Sequence, residues 1–223
     1  MKLPCRERSQ KYTIPLPRKF VSFLRGKAIR NILDVGCGYG RACFFLNENQ
    51  YRVSGVDVDR VQIESALKEA KLRHIHEEID FIINDARNLC FPTSSFDAVI
   101  MLGLLTLVSK SERSKIMNEV YRVLKSSGYI FIEEFGQTWE NPIYSKRYKD
   151  DLAVTHELGT FTVKDDNGRI LHLAHHFTRE ELIFFLKNFT VISFEEDIFT
   201  SYYHRNWVKG YVIIAQKEEK KHG

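Results

Sequence analysis

Three observations predict a doubly wound α/β fold built on a mostly parallel sheet. Short apolar, strand-like runs alternate with helix-period segments between residues 31 and 134. A strand ending Leu33-Asp34-Val35 runs directly into Gly36-Cys37-Gly38-Tyr39-Gly40 and then a helix. Two late apolar runs are joined by a connection too short for a parallel crossover, which makes them an antiparallel pair at the sheet edge.

Taken in order, Pro17 to Arg25 reads as a short opening helix. Strands follow at Asn31 to Val35, Arg52 to Asp57, Ile79 to Ile83, Phe96 to Met101 and Gly128 to Glu134, with helices at roughly 40–49, 59–73 and 111–124 between them. Asp59, with Gln62 three residues on, predicts a capping box at the second of these helices. After Glu134 the rhythm changes. Phe135 to Phe177 is rich in Tyr, Lys, Asp and His and carries Asp165-Asp166-Asn167-Gly168 between alternating runs, a hairpin signal. Thr178, with Glu181, opens a helix to Lys187, and strands lie near Thr190 to Phe199 and Trp207 to Gln216. No repeat or low-complexity linker divides the chain. Residues 1–223 are therefore expected to form a single domain, with an N-terminal helical segment at 1–30, an insertion at 135–177 and a tail at 217–223.

The bulk numbers restrict the class. At 223 residues, 43% apolar and 28% charged, the chain is long enough to bury a core without staples. Cys5, Cys37, Cys43 and Cys90 form no C-x-x-C pair, and two of them lie in or beside the glycine turn, where a disulfide would obstruct a ligand loop. They read as reduced thiols, which places the chain in the cytoplasm. The first residues lack the apolar core of a signal peptide, and no run of roughly 18 apolar residues occurs, so no membrane span is expected. The formal charge of +4 is modest, and the Lys217-to-His222 cluster mixes signs. A basic run of Arg6, Arg8, Lys11, Arg18, Lys19, Arg25, Lys27 and Arg30 nevertheless keeps a nucleic-acid partner in view, since such a run supplies phosphate affinity without sequence readout.

The glycine turn carries the chemistry. Without Cβ atoms, glycines let backbone N–H groups approach a nucleotide-like ligand at a helix N-terminus. The dinucleotide fingerprint G-x-G-x-x-G/A is broken by Arg41 at its last position, which disfavours nicotinamide and flavin dinucleotides. Asp57, at the end of the second strand, supplies a carboxylate able to accept from both ribose hydroxyls.

With an acidic residue followed by Gly-x-Gly-x-Gly after its first strand, the sequence resembles the class I S-adenosylmethionine-dependent methyltransferases. The resemblance implies a Rossmann-like seven-stranded sheet with a reversed last strand, S-adenosylmethionine as methyl donor and S-adenosylhomocysteine as product. It further implies a cofactor site at Asp34, Gly36, Cys37, Gly38 and Gly40, at Asp57 with Val58, at Asp85 and Ala86 for the adenine, and at Leu102 for the methionine end. Asn84-Asp85-Ala86 also fits a plain Asx turn. Val123-Leu124-Lys125-Ser126-Ser127-Gly128 resembles the family's helix-to-fifth-strand turn, with both serines as departures.

The acceptor side is less defined. A sulfonium methyl is already electrophilic, so a base is needed only for a nucleophile that must shed a proton. Gly103 to Val108 offers none. Asn141-Pro142-Ile143-Tyr144 is similar to the Asn/Asp-Pro-Pro-Tyr of amino-group-modifying members, but it follows the fifth strand and reads as a turn. The insertion holds Tyr144, Lys146, Arg147, Tyr148, His156, His172, His175 and His176. It reads either as an aromatic and basic wall around a small molecule, with His175, His176 or Tyr144 as weak base candidates, or as a solvated hairpin. No cysteine or carboxylate completes a zinc spacing around His172, His175 and His176, and no metal is expected. Glu133 and Glu134 must face opposite sides of the sheet, so at most one reaches the ligand crevice. Cys37 and Tyr39, between the glycines, read as packing or backbone-contact positions. The expected function is methyl transfer to a small molecule. An RNA (tRNA) or protein methyltransferase, and a non-catalytic partner protein that binds cofactor, stand as alternatives.

Overall fold

The computed structural model describes residues 14–201 and 206–218. Cys5, Arg6, Arg8 and Lys11, and the tail beyond Glu218, lie outside the described residues. In chain order the elements are α1 (Arg18–Leu24), β1 (Asn31–Val35), α2 (Arg41–Glu48), β2 (Arg52–Asp57), α3 (Arg60–Leu72), β3 (Ile79–Ile83) and β4 (Phe96–Leu102). There follow a 3-10 turn at Leu105–Leu107, α4 (Lys110–Val123), β5 (Leu124–Phe135), α5 (Pro142–Asp150), α6 (Leu152–Thr155), β6 (Thr160–Lys164), β7 (Ile170–His175), α7 (Arg179–Phe185), β8 (Phe189–Ser201) and β9 (Asn206–Lys217).

Seven strands make one sheet in the order β3-β2-β1-β4-β5-β9-β8, and β6 and β7 pair separately. The first five are parallel, while β9 runs antiparallel to both β5 and β8. The reversal at the edge is thus the short-connection pair that the sequence predicts. Strand order reverses between β1 and β4, which opens a crevice at the carboxyl ends of these strands.

Near-continuous apolar runs in the central strands are explained by burial on both faces. One core holds Phe20, Val21 and Leu24 of α1 with residues of α2 and α3, and also Tyr144, Tyr148, Phe161 and Ala174 of the inserted region. The other holds Ile116, Met117 and Val120 of α4 with Leu182 of α7. Among the described residues no helix is long and apolar enough to cross a membrane.

Several elements depart from expectation for identifiable reasons. β5 begins at Leu124 because the strand pairs with Phe96 before an irregularity that absorbs Lys125 to Ser127. Ser127 there takes φ +58, a left-handed conformation that glycine adopts more cheaply. α4 starts at Lys110 on a reciprocal Ser109/Glu112 capping box. At α3, Asp59 accepts from the N–H groups of Val61 and Gln62, but the Gln62 amide donates to the Asp59 carboxylate. The Asp59 N–H instead goes to Asp57, so the predicted box is one-sided. Asn141-Pro142 is the N-cap and first residue of α5, not a turn. The insertion therefore carries two helices as well as the hairpin, whose left-handed residue is Gly168 at φ +79.

Candidate functional site

A cavity of about 220 Å³ opens at the carboxyl ends of β1 to β3, beside α4. Val56, Val58, Ala86, Leu104, Val108 and Ile116 give it apolar walls, and Gly36, Asp57, Asn84, Asp85, Arg87 and Glu112 complete its lining. An apolar slot rimmed by carboxylates suits a flat heterocycle carrying hydroxyl and amine donors.

The glycine turn closes one end of this cavity. Gly36, Gly38 and Gly40 all take left-handed φ, at +78, +55 and +76. The N–H groups of Gly36 and Cys37 both donate to the Val56 carbonyl, at 2.8 and 3.0 Å, tying the turn to β2. Gly38 N–H donates to Asp57 Oδ2 at 2.8 Å, and Asp59 N–H donates to Asp57 Oδ1 at 2.9 Å. Two backbone donors fix the Asp57 carboxylate and leave each of its oxygens a second lone pair for a ligand hydroxyl.

The turn's residues divide by role. A Cβ at Gly36 or Gly38 would meet only side-chain atoms, Leu104 Cδ1 or Gln62 Oε1, each at 2.9 Å. At Gly40 it would lie 2.5 Å from the Phe81 ring, which makes Gly40 a packing position. Gly55, which the sequence reading passed over, lets Cys37 and Cys43 approach β2: a Cβ there would stand 2.9 and 2.8 Å from their sulfurs. Asp34 is 2% exposed beneath the turn and does not line the cavity. The Cys43 thiol donates to Asp34 Oδ2 at 3.2 Å. Burial, opposed by that bond, lifts the Asp34 pKa to about 7. The expected cofactor positions thus separate into cavity-lining Gly36, Asp57, Val58, Asp85 and Ala86 and a supporting layer of Asp34, Cys37 and Gly40.

Asp85 lines the cavity but is engaged by Arg87, whose Nε donates to both carboxylate oxygens at 2.9 Å. The Arg87 guanidinium also contacts Glu112, so one arginine spans the mouth from the β3 loop to α4. Asn84 belongs to the predicted Asn84-Asp85-Ala86 motif, whereas Arg87, Leu104, Val108, Glu112 and Ile116 are cavity positions the sequence does not predict. Glu112 has a local motif only as the partner of Ser109 in the cap of α4, and the crossover brings it and Ile116 to the cavity.

The ends of β4 and β5 lie next along the crevice. Leu102 pairs in register with Glu133, whose carbonyl accepts from Gly103 N–H at 2.7 Å. Glu133 and Glu134 do face opposite sides. Glu134 accepts from Leu105 N–H at 2.6 Å and from the Thr106 N–H and hydroxyl, and so fixes the 3-10 turn after β4. Burial raises its pKa to about 7 against these bonds. Glu133 is 2% exposed, and its Oε2 has no hydrogen-bond partner among the described residues.

The three weak base candidates sit inside the protein, not on an open wall. His176 is 4% exposed among Phe135, Tyr144, Tyr148 and Phe161, with Nδ1 2.7 Å from the Tyr148 hydroxyl. Burial pushes its pKa down to about 3, far too low to hold a proton taken near neutral pH. Tyr144 is 8% exposed, and burial raises its pKa further from neutrality. His175 points the other way along β7. Its Nδ1 is 2.8 Å from the Thr160 hydroxyl, with Glu157 and Glu181 each at 3.5 Å. Ligand atoms of Glu157, His175 and Glu181 lie within 4.8 Å of one another, but Arg113 clamps Glu157 through two bonds and Glu181 caps α7. The Arg113–Glu157 ion pair and the Glu181 cap join the insertion to α4 and α7 around His175, whose Nε2 has no hydrogen-bond partner among the described residues. His172 is exposed, and the zinc trio set aside on sequence does not converge.

The family model described as a methyltransferase domain matches residues 32–128. The crystal structure of an S-adenosylmethionine-dependent methyltransferase from Methanosarcina mazei is 35% identical, with a TM-score of 0.84 over 90% of this chain and 98% of that one. A ubiquinone/menaquinone biosynthesis C-methyltransferase of Zymomonas mobilis is 33% identical over 67% of this chain and 60% of its own length. A methyltransferase of Streptomyces halstedii is 29% identical over 46% of this chain and 37% of its own. The chain thus spans less than two thirds of the length of these curated relatives.

Proposed function

The chain belongs to the class I S-adenosylmethionine-dependent methyltransferases, and from that premise we propose that it transfers the cofactor's methyl group to a small molecule in the cytoplasm. The observation that carries this reading is the cavity that ends on the glycine turn, with the immobilised Asp57 carboxylate on its wall. Its volume and lining fit an adenosine moiety, and the left-handed glycines leave room for the rest of the cofactor along the turn.

In this reading Asp57 accepts from the ribose hydroxyls, Val58 and Ala86 flank the adenine, and Asp85 accepts from its exocyclic amine. Asp85 does so once Arg87 has turned toward Glu112. Gly36, Gly38 and Leu102 present backbone to the methionine portion, while Asp34, Cys37 and Gly40 hold the turn's shape from below. The bound cofactor supplies an electrophilic methyl on a sulfonium, and what the chain adds is alignment and exclusion of water.

Two observations favour a small acceptor. The region between β5 and α7 is tied to the carboxyl end of β5 and the amino end of β9, by Phe177 N–H donating to the Phe135 carbonyl, Gly136 N–H to the Lys209 carbonyl and the Asn141 amide to the Trp207 carbonyl, and its strand β7 lies against the 3-10 turn after β4. In the described part of the basic run three side chains make contacts within the chain: Lys19 pairs with Glu195, Arg18 lies over Phe45 and Lys27 over Phe23. The cytoplasmic assignment rests on free Cys37, Cys43 and Cys90. The test is an acceptor screen that follows S-adenosylhomocysteine release with metabolite fractions and with an RNA pool. Turnover with a metabolite fraction is the expected result. Turnover with RNA alone, or cofactor binding without turnover on any acceptor, overturns the small-molecule reading.

A further inference from the structure

Glu133, at the carboxyl end of β5, is a buried carboxyl whose Oε2 has no hydrogen-bond partner among the described residues. Across the sheet, Asp34 is in register with Ile100 of β4, and Leu102 with Glu133 of β5, which is in turn opposite Val212 of β9. Leu102, Glu133 and Val212 therefore make one row on one face, and the glycine turn begins at Gly36, directly after β1 ends at Val35. Strand spacing puts Glu133 about 4.8 Å from Leu102 and on the order of 10 Å from the glycine turn. Its flanks on this face are apolar: Phe131 and Phe135 along the strand, Leu102 and Val212 to either side. Ile14 covers the adjoining backbone at Gly103.

The charged groups around it belong to other contacts. Arg41 of α2 reaches the Ile14 and Pro15 carbonyls, Lys19 of α1 pairs with Glu195 and Asp197, and Asp197 of β8 faces Lys19. Each acts on Glu133 at a distance, Arg41 and Lys19 favouring its ionised form and Asp197 opposing it. A carboxylate left in an apolar recess without a bonded partner is costly to the fold, and such groups concentrate where a reaction needs them.

We propose that Glu133 is the proton acceptor of the methyl-transfer site and that the acceptor is a hydroxyl compound. This rests on the cofactor reading above. The acceptor's O–H bond breaks and its proton passes to Glu133 Oε2. The freed oxygen pair forms the new O–CH3 bond, while the methyl–sulfur bond breaks with its electrons kept on sulfur. Before transfer the recess holds one carboxylate and one sulfonium; afterwards it holds a neutral carboxylic acid and a neutral thioether. Net charge in the recess is zero throughout, which a site of low dielectric favours. Burial raises the Glu133 pKa to about 8, so the empty site keeps the carboxyl mostly protonated at neutral pH and a bound cation shifts it toward the base form. An amine acceptor, nucleophilic when neutral, needs no such group.

The test uses calorimetry on the full chain with S-adenosylmethionine, a cation at sulfur, and S-adenosylhomocysteine, its neutral counterpart, in wild type, Glu133→Gln and Glu133→Asp. Thermal unfolding checks that each variant folds. In wild type, the affinity ratio of the two ligands rises by about tenfold between pH 6 and 9, one pKa unit of linkage, with proton release on binding the cation. Glu133→Gln flattens the ratio and Glu133→Asp restores it. With a panel of alcohols and phenols at pH 8, Glu133→Gln loses roughly 10²-fold or more in kcat, while the KM for S-adenosylmethionine rises by no more than the about tenfold linkage factor. A flat ratio in wild type, an equal rise in Glu133→Gln, or retained kcat in that variant overturns the assignment while the cofactor site stands. Failure of wild type to bind either ligand overturns the cofactor reading itself, and this assignment with it.

Discussion

Gly38 and Gly40 share a left-handed backbone but differ in what a side chain would strike. At Gly40 the obstacle is the buried Phe81 ring, so Gly40→Ala is expected to cost about 2 to 4 kcal/mol through overpacking and backbone strain. At Gly38 it is the far end of Gln62, so Gly38→Ala costs about 1 kcal/mol in stability and acts mainly on cofactor affinity. Denaturant midpoints of the two variants separate these roles. His176 gives a pH-dependent prediction. Its folded pKa of about 3 lies below the 6.5 of the unfolded chain, so the unfolded chain takes up the proton first. The stability it contributes is present above pH 6.5 and is lost as pH falls toward 3, at about 1.4 kcal/mol per pH unit. Unfolding free energies of His176→Gln, measured between pH 4 and 7, should fall with acid less steeply than those of wild type by one proton's slope.

The elements differ in how much of them was legible in sequence. β1, β2 and β3 fall at their predicted residues because each is a short β-branched-rich run (NILDV, RVSGVD, IDFII) set between helix-period segments, a signal that needs no tertiary information. The insertion was legible only as a hairpin, since α5 is short and carries four charged residues and α6 has only the four residues LAVT, too few for a helical period. Asn141 is the clearest such contact. Its side chain caps α5 at Ile143 N–H and donates to Asn206 Oδ1 and the Trp207 carbonyl, joining the insertion to β9 from inside. Asn141→Ala is expected to cost about 2 to 3 kcal/mol, for a lost cap plus a buried carbonyl left unpaired. Thr178→Ala, which removes only the cap of α7, costs about 1 kcal/mol. Thermal unfolding of the two variants should rank them in that order. A larger loss at Thr178 would mean that the α7 end, with Glu181 and His175, holds the insertion instead.

At the scale of the whole molecule, the sheet order places the carboxyl ends of β1, β2 and β3 around one cavity, and the ends of β4 and β5 beyond it. The residues with a motif, Gly36, Asp57 and Asp85, were legible because the turn chemistry needs them at fixed offsets from a strand end. Glu112 and Ile116 line the same cavity from α4, and Glu133 Oε2 has no hydrogen-bond partner among the described residues while the neighbouring Glu134 is bonded; neither fact leaves a local trace in sequence. Of the insertion's histidines, His175 and His176 are enclosed by packing, whereas His156 and His172 are exposed. The central claim is that this cavity and the glycine turn hold S-adenosylmethionine through Asp57. Calorimetric titration of wild type and Asp57→Ala tests it most directly. Saturable binding at one site in wild type, weakened by about ten- to a hundredfold in the variant, for the lost charged acceptor, is the expected result. No saturable binding by wild type, or an affinity unchanged by Asp57→Ala, would contradict it.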